Sequence, residues 1–467
     1  MTTTHRRICL VPLVAILLVA LKPGPATDPV DELMRGMMAA AHIPGAAIAV
    51  VRDGKIVKLA EYGVANSELG VRVTGDTRFQ IASATKMYTA ALLMRMVEHG
   101  QLSLDDPITK FIPNAPPGWA AITVRNLATH TSGIASPDIG PSVVTTADAL
   151  SILLNTELTS KPGAEARYGS MDFTVLQFIL EHVSGKPFAQ LLHDELLVPA
   201  GMPCISFDNA EERGPQRMAD DVPNRAEYYH WDGQRNQRRW FLYTQYAYAA
   251  GGAYGCVRDM AHFVAAIDAG AVLTPASLAT IWTAPTLADG TVGTFGIGWV
   301  VKRYRGHRWV GHSGGPALSD VMYFPDDHLG IIVLTNQQRL YPQLASLVAD
   351  LYIAPPKSYG APGIPDDHPD LTASARKFLD GTAAGAIDGA LVATANRDAT
   401  VDDWNGVGPG WLGLLGPITR ITLLGDTASA DGLRTRTYRV MYGQHGRPFV
   451  FGFDADGKIT RIAPTSD

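Results

Sequence analysis

Ser83 and Lys86 are the residues of this sequence whose types and spacing best suit chemistry together. A serine hydroxyl is a weak nucleophile at neutral pH and needs a base within hydrogen-bond distance. Side chains three residues apart on a helix share one face, so a helix alone would bring the lysine amine to the serine hydroxyl. Apolar residues recur at helical spacing as far as Val97, and Gly100 is a typical stop signal. The pattern predicts a helix over about 80–99, with Ser83 in its first turn, where unpaired backbone N–H groups can stabilise an oxyanion.

An S-x-x-K spacing alone is most often a capping serine and a surface lysine. Three later motifs favour a catalytic interpretation of this pair. They follow in the order Leu127-Ala128-Thr129-His130-Thr131-Ser132-Gly133, Tyr168-Gly169-Ser170 and His312-Ser313-Gly314. The ordered set resembles the serine β-lactamase and penicillin-binding-protein superfamily, in particular its class C β-lactamase-like esterase and peptidase branch. The resemblance covers about residues 30–350. It implies an α+β fold in which helices flank an antiparallel sheet and an all-helical insertion is present.

The resemblance also implies a role for each matched residue. Ser83 would be the acylated nucleophile, Lys86 its proton acceptor, and Tyr168 the tyrosine that shares proton transfer with that lysine. The backbone N–H groups of Ser83 and Gly315 would form the oxyanion hole. The remaining matched residues would contact the substrate: Ser170, His312, Ser313 and Gly314. The chain would thus be a serine hydrolase that works through an acyl-enzyme without a cofactor.

Two departures from the family pattern bear on the substrate. Ser170 stands where the family has an asparagine, so a carboxamide that can contact a substrate amide is missing. His312 replaces the lysine of K-T-G, which removes a constant positive charge that favours a substrate carboxylate. We therefore expect esters, or amides without a free C-terminal carboxylate. Two alternatives stay open: a β-lactamase or D-alanyl-D-alanine carboxypeptidase, and an inactive protein that only binds cell-wall fragments or an antibiotic.

Other chemistry-bearing residues receive a structural interpretation. His130 is expected to hydrogen-bond within its own turn. Aromatic and basic residues interleave from Arg217 to Tyr248, either as one wall of the substrate pocket or, slightly favoured, as a packed hairpin turning at Asp232-Gly233. The G-x-S-x-G match at 311–315 is rejected as a nucleophile elbow, because a strand pattern rather than a helix follows it.

The elements that must position these residues come from both ends of the matched region. An apolar run ending at Asp53-Gly54 predicts a hairpin, and further strands are predicted at 307–312, 319–324 and 330–335, with mostly helices between. Prolines mark 355–370 as a linker after a hydrolase domain over 27–354. A small α+β domain follows over 371–467, with one helix near 371–393 and four strands. Its element order resembles cystatin-like or NTF2-like modules.

The N-terminus and the composition restrict location and partners. A basic start, an apolar run and small residues predict a signal peptide over 1–26, hence a secreted or periplasmic protein, anchored in a membrane only if that segment is retained. The net charge of -6, without a basic block, argues against a nucleic-acid partner. No histidine pattern predicts a metal site. Cys204 and Cys256 could form a disulfide or be two buried thiols, and the oligomeric state stays open.

Overall fold

The structure of the chain, a computed structural model, describes residues 28–139, 143–209, 211–213, 216–239, 243–315, 317–338, 344–429, 432–443 and 445–465. The predicted signal segment, residues 1–26, lies outside these ranges. No helix within them combines the length and the hydropathy that crossing a bilayer requires.

The secondary structure is numbered in chain order. The strands are β1 (Gly45–Arg52), β2 (Lys55–Asn66), β3 (Val71–Arg72), β4 (Phe79–Gln80), β5 (Glu211–Arg213), β6 (Gln216–Met218), β7 (Tyr228–Trp231), β8 (Asn236–Arg239), β9 (Tyr254–Gly255), β10 (Val300–Tyr304), β11 (His307–Gly314), β12 (Ala317–Phe324), β13 (Leu329–Gln338), β14 (Arg420–Ala428), β15 (Arg434–Tyr442), β16 (His445–Phe453) and β17 (Ile459–Pro464). The α-helices are α1 (Pro29–Ala40), α2 (Thr85–Glu98), α3 (Val124–Ala128), α4 (Thr146–Leu153), α5 (Ser170–Ser184), α6 (Phe188–Leu192), α7 (Tyr248–Gly251), α8 (Val257–Asp268), α9 (Pro275–Ile281), α10 (Leu344–Ala349), α11 (Pro369–Ala384) and α12 (Arg397–Val407).

The largest sheet is built from both ends of the predicted hydrolase region. Its order is β10-β11-β12-β13-β1-β2-β3, with antiparallel neighbours, and β7 joins it by a short parallel contact with β13. Strand β1 pairs with β13 from Ala46↔Thr335 to Arg52↔Leu329. Asp53 and Gly54 link β1 to β2 with φ of 50° and 69°, which suits a two-residue hairpin. The predicted antiparallel sheet and its first hairpin are confirmed.

Alternate residues of the central strands fill two different apolar cores. Ala47 and Ala49 of β1 belong to a first core, which also contains side chains of α2, α5 and α8. Ile48 and Val50 belong to a second core, shared with α1, α10, α11, β15 and β16. Because successive side chains of a strand point to opposite faces, one continuous apolar run can supply both cores.

The predicted all-helical insertion is mainly helical instead: between β3 and β10 it also carries the short hairpins β5–β6 and β7–β8. The second of these turns around Asp232 and Gly233. It buries Tyr229 and leaves Arg238 and Arg239 exposed. The favoured interpretation of this stretch, a packed hairpin with solvated arginines, is confirmed.

The C-terminal residues form a four-stranded antiparallel sheet, β14-β15-β16-β17, with α11 packed against it. The prediction of one helix over 371–393 is wrong. Helix α11 ends at Ala384 because Gly385 takes a left-handed conformation (φ 67°), and α12 begins only at Arg397. The proline-rich stretch before α11 lies against the sheet: Tyr359 is buried, and Arg439 donates a hydrogen bond of 2.6 Å to the carbonyl of Ala361. The boundaries at 354 and 371 stay a prediction.

A buried charge cluster joins the two sheets. The carboxylate of Asp350, just after α10, is fully buried and pairs with Arg305 at 2.8 Å and with Arg447 of β16 at 3.4 Å. It also accepts hydrogen bonds from Tyr304 and His445. Although burial raises the pKa of this carboxyl, the hydrogen bond from His445 and the two arginines hold it below its usual range. The cluster therefore fixes the C-terminal sheet to the end of the main one.

Candidate functional site

A tight turn presents Ser83 at the start of α2. Residues Ala82–Ala84 form a 3-10 turn, and α2 proper begins at Thr85. Ser83 therefore lies in the 3-10 turn that leads into α2 and not, as predicted, in the first turn of the α-helix. Ala82 has a φ of 46°, a left-handed conformation that costs an L-residue roughly 1–2 kcal/mol. Two hydrogen bonds of 2.6 Å hold it: Ser319 Oγ donates to the carbonyl of Ile81, and Thr85 Oγ1 donates to that of Ala82. The surrounding structure thus fixes the direction in which the Ser83 hydroxyl points.

Lys86 is fully buried beneath that hydroxyl. Its Nζ lies 3.3 Å from Ser83 Oγ and donates a hydrogen bond of 2.6 Å to the carbonyl of Ala250. The rings of Tyr168 and Phe173 complete its surroundings, with centroids 5.0 and 5.2 Å from Nζ. The structure therefore brings the predicted serine and lysine within hydrogen-bond distance in a place shielded from water. An unprotonated amine there could remove the serine proton.

Tyr168 lies immediately before α5, on the open side of Lys86. Its ring centroid is 4.7 Å from that of His130, 5.5 Å from Phe295 and 5.8 Å from His312, while 43% of the residue is exposed. Within the described ranges, its hydroxyl makes no hydrogen bond to another residue. A cleft of about 380 Å³ adjoins the ring and is lined by Ile134, Ala135, Ser136, Pro137, Thr159 and Arg167. Tyr168 thus meets solvent where a substrate could enter.

His312 is buried on β11, and its ring centroid lies 5.8 Å from that of Tyr168. Its Nδ1 donates to the carbonyl of Ser313 at 2.6 Å, and its buried Nε2 has no partner among the described residues. Burial, the largest cause, lowers the pKa of His312 to about 3. The ring is therefore neutral at physiological pH, and Nε2 is a hydrogen-bond acceptor rather than a cation.

The end of β11 packs directly on the turn that carries the serine. A Cβ on Gly314 would lie 2.1 Å from the carbonyl oxygen of Ile81, so only glycine fits there. A Cβ on Gly315 would meet nothing within 4 Å, so the space beside this residue is open. The other predicted substrate residues, Ser313 beside His312 and Ser170 at the first position of α5, are half-buried.

Sequence reasoning missed Tyr243 as a neighbour of this site. Its hydroxyl donates a hydrogen bond of 3.1 Å to the carbonyl of Gly315. A Cβ on Gly251 would lie 2.8 Å from the Tyr243 ring, so the ring lies close above the end of α7. Tyr243 belongs to the stretch of interleaved aromatic and basic residues, and that composition was the only signal available. The pocket-wall interpretation of this stretch stays a prediction, and Tyr243 is the residue of it that contacts Gly315.

The expectation that His130 bonds only within its own turn is wrong. Its Nδ1 lies 3.0 Å from the Asp172 carboxylate, which comes from the first turn of α5. Ser132 donates a second hydrogen bond to the same carboxylate. Both His130 and Asp172 are buried. The error arose because a partner 42 residues away leaves no trace in the local pattern of a turn.

Of the two alternatives for the cysteines, a disulfide or two buried thiols, the structure shows the disulfide. Cys204 and Cys256 form a disulfide, with their Cα atoms 5.6 Å apart. Their sulfurs and a carboxylate oxygen of the exposed Asp76 lie close enough together to be considered as metal ligands. Because both sulfurs are already bonded to each other, this group offers no thiolate to a metal.

Comparison with known proteins decides the family. The beta-lactamase family profile matches residues 30–350. This chain belongs to the beta-lactamase family. Among curated relatives, "Protein flp" of Staphylococcus aureus (strain MW2) is 29% identical over 187 residues, 38% of this chain and 38% of flp. The "Putative penicillin-binding protein PbpX" of Bacillus subtilis (strain 168) is 28% identical over 252 residues, 54% of this chain and 61% of PbpX. The chain thus spans less than two thirds of either relative.

Solved structures of several other proteins share the fold. An octameric penicillin-binding protein homologue from Pyrococcus abyssi has a TM-score of 0.63 at 22% identity, over 94% of this chain and 96% of its own. EstCE1, a hydrolase with promiscuous acyltransferase activity, has a TM-score of 0.56 at 22% identity, over 68% of this chain and 98% of its own. The D-amino acid amidase from Ochrobactrum anthropi SV3 has a TM-score of 0.56 at 23% identity, over 66% of this chain and 91% of its own. The predicted superfamily and fold class are confirmed.

Proposed function

We propose that this chain is a serine hydrolase that forms an acyl-enzyme on Ser83, with Lys86 and Tyr168 as its proton-transfer groups. The observation that carries the proposal is the 3.3 Å distance between Lys86 Nζ and Ser83 Oγ, with the amine fully buried. A surface lysine beside a capping serine would be solvated and would have no reason to lie there. Membership of the beta-lactamase family supports the same interpretation.

The proposed reaction assigns each proton. Neutral Lys86 takes the proton of Ser83 as Oγ attacks the substrate carbonyl, and the negative oxygen that forms is bound by the N–H groups of Ser83 and Gly315. When the tetrahedral species collapses, Tyr168 donates a proton to the departing alcohol or amine and regains one from Lys86. In the second step neutral Lys86 takes a proton from the water that attacks the acyl-enzyme and passes it to the departing Ser83 Oγ, which releases the acid and restores the hydroxyl.

The electrostatics of His312 support a substrate without a carboxylate at that position. A neutral ring with an unshared electron pair on Nε2 has neither a charge nor a donor at that atom with which to bind an anion. It favours a hydrogen-bond donor such as an amide N–H, an amine or a hydroxyl. Ser170 offers a short hydroxyl in place of a carboxamide. We therefore propose esters or amides as substrates, rather than penicillins or D-alanyl-D-alanine peptides.

Labelling and kinetics test the chemistry. A fluorophosphonate probe should attach to wild-type protein at Ser83, and Ser83→Ala should not be labelled. We expect Ser83→Ala and Lys86→Met each to lower kcat/KM for p-nitrophenyl butyrate by on the order of 10⁴-fold or more. Methionine fills the volume of the buried lysine, so thermal stability separates a catalytic loss from a folding defect. Ser151→Ala, an exposed serine on α4, is the matched control.

The outcomes discriminate between the alternatives. An unlabelled wild-type protein without turnover would favour the inactive binding protein. A large excess of kcat/KM for nitrocefin over p-nitrophenyl butyrate would favour a β-lactamase and would contradict the role given to His312. Rapid release of D-alanine from a D-alanyl-D-alanine peptide would favour a carboxypeptidase.

We further propose that the protein is exported. The disulfide between Cys204 and Cys256 supports this location, because such bonds persist in oxidising compartments. The mass of the native protein tests it: a chain that begins near residue 27 would indicate cleavage of the predicted signal, and a chain retaining residues 1–26 would indicate an anchor or no export.

A further inference from the structure

A buried polar cluster stands directly behind Tyr168. His130, at the end of the α3 turn, has a φ of 57°, which an L-residue adopts only when the surrounding structure enforces it. Its Nδ1 contacts Asp172 at 3.0 Å, and Asp172 also accepts a hydrogen bond from Ser132. Burial, as the first cause, lowers the pKa of His130 and raises that of Asp172. The cluster thus holds a neutral imidazole ring in one fixed orientation.

His130 contacts the segment of Tyr168 in three separate ways. Its carbonyl accepts a hydrogen bond of 2.8 Å from the N–H of Arg167, the residue before the tyrosine. Its Nδ1 lies 3.5 Å from the N of Gly169, the residue after it. Its ring lies against the phenol ring, with centroids 4.7 Å apart, and also packs against Phe295, with centroids 5.2 Å apart.

These contacts matter because the other rings beside the phenol, Phe295 and His312, lie farther from it, with centroids at 5.5 and 5.8 Å. Tyr168 is 43% exposed, and no described residue hydrogen-bonds its hydroxyl. A residue so exposed would sample several rotamers if its ring had no fixed neighbour. The contact that His130 provides is rigid, since the ring is anchored at Asp172, and Asp172 belongs to the same helix, α5, that Tyr168 precedes.

We propose that His130, held by Asp172, is a positioning residue that keeps the Tyr168 hydroxyl where it can protonate the leaving group. This inference rests on the proposed function of Tyr168 as proton donor. A general acid contributes about 10²–10⁴-fold to a rate, and a displacement of about 1 Å can cost 10²-fold. Loosening His130 should therefore affect those reactions in which the leaving group needs a proton, and spare the others.

Two esters of the same acid separate these cases. p-Nitrophenyl butyrate releases a stable anion near neutral pH, whereas p-nitrobenzyl butyrate releases an alkoxide that must be protonated as it departs. Both give the same butyryl-enzyme, so their kcat/KM values differ only in acylation. His130→Asn is the decisive variant: asparagine tolerates the left-handed backbone and can still reach Asp172 with its amide, but it lacks the outer half of the ring that contacts Tyr168.

We expect His130→Asn to lower kcat/KM for the benzyl ester about 10-fold or more, and for the phenyl ester less than about 2-fold. Asp172→Asn should show a smaller loss with the same selectivity, and it serves if His130→Asn does not fold by circular dichroism. Tyr168→Phe should show the full selective loss. His182→Asn, an exposed histidine on α5, is the matched control and should change neither value.

Each result has one meaning. Equal losses on both esters, or no loss on either, in His130→Asn would overturn the positioning role while a selective Tyr168→Phe left the proposed function standing. A Tyr168→Phe variant without selectivity would instead overturn the proton-donor role, and the inference with it. A selective loss in both variants supports both.

Discussion

Replacing Gly314 by alanine tests whether β11 must touch the Ser83 turn. The new Cβ would lie 2.1 Å from the carbonyl oxygen of Ile81 and 2.6 Å from Ser319 Oγ. An ordinary carbon–oxygen contact needs about 3.2 Å, so the strand and the turn must separate by about 1 Å. The same movement would break the hydrogen bond from Ser319 to Ile81, which helps to hold Ala82 in its left-handed conformation.

The magnitudes follow from these contacts. Overpacking of this kind costs about 1–3 kcal/mol of stability, so Gly314→Ala should lower Tm by several degrees without unfolding the protein at room temperature. Misplacing catalytic groups by about 1 Å costs on the order of 10²-fold in rate. We therefore expect kcat/KM for p-nitrophenyl butyrate to fall about 10²-fold, with the loss mainly in kcat.

The neighbouring glycine provides the control for stability. Gly315→Ala adds the same methyl group one residue later, where nothing lies within 4 Å, and should leave Tm unchanged. Thermal melts by circular dichroism and initial rates on the same preparations give both quantities. Full activity and an unchanged Tm in Gly314→Ala would show that the strand and the turn are not in contact, and would refute the site geometry.

Three further predictions concern stability. Burial raises the pKa of Asp320 to about 8, above its unfolded value of 3.8, so the free energy of unfolding should fall as pH rises from about 4 to 8. Asp320→Asn should flatten this pH profile in urea titrations from pH 5 to 9. An unchanged slope would contradict the prediction. Reducing the disulfide between Cys204 and Cys256, which are 52 residues apart, should cost about 4 kcal/mol, read as a lower Tm with dithiothreitol. Asp350→Asn leaves Arg305 buried without its counter-charge and should cost about 3–5 kcal/mol, with kcat/KM at 25 °C unaltered; a Tm equal to that of wild type would show that the pair is solvated.

Local patterns predicted those parts of the site that depend on neighbours in sequence. The Ser83–Lys86 spacing works because a helical start fixes it, and motif order placed Tyr168 and His312 through resemblance. The Asp53-Gly54 hairpin followed from turn chemistry. These signals persist in the sequence because each is set by residues within a few positions of one another.

Features that depend on distant partners could not be predicted. The Asp172 carboxylate reaches His130 only because α5 passes behind the α3 turn. The left-handed backbone at Ala82 has no sequence signal, since alanine usually indicates a right-handed helix and the enforcing bond comes from Ser319. The end of α11 at Ala384 was missed because glycine is an ambiguous stop signal: Gly381 lies inside the helix, whereas Gly385 ends it.

The second core has a consequence for how this protein can be divided. Ile48 and Val50 of β1 pack in the same apolar cluster as Phe449 and Phe451 of β16. The same cluster contains side chains of α1 and α10 and of α11. A chain cut after residue 354 would lose the part of the cluster that α11 and the second sheet supply and would expose the apolar side chains left behind, so we expect it to be recovered as aggregates. Grafting a different C-terminal unit would likewise require new side chains where the two units meet. The C-terminal unit is thus part of the core that supports the main sheet, so substitutions on one side of this core require matching substitutions on the other.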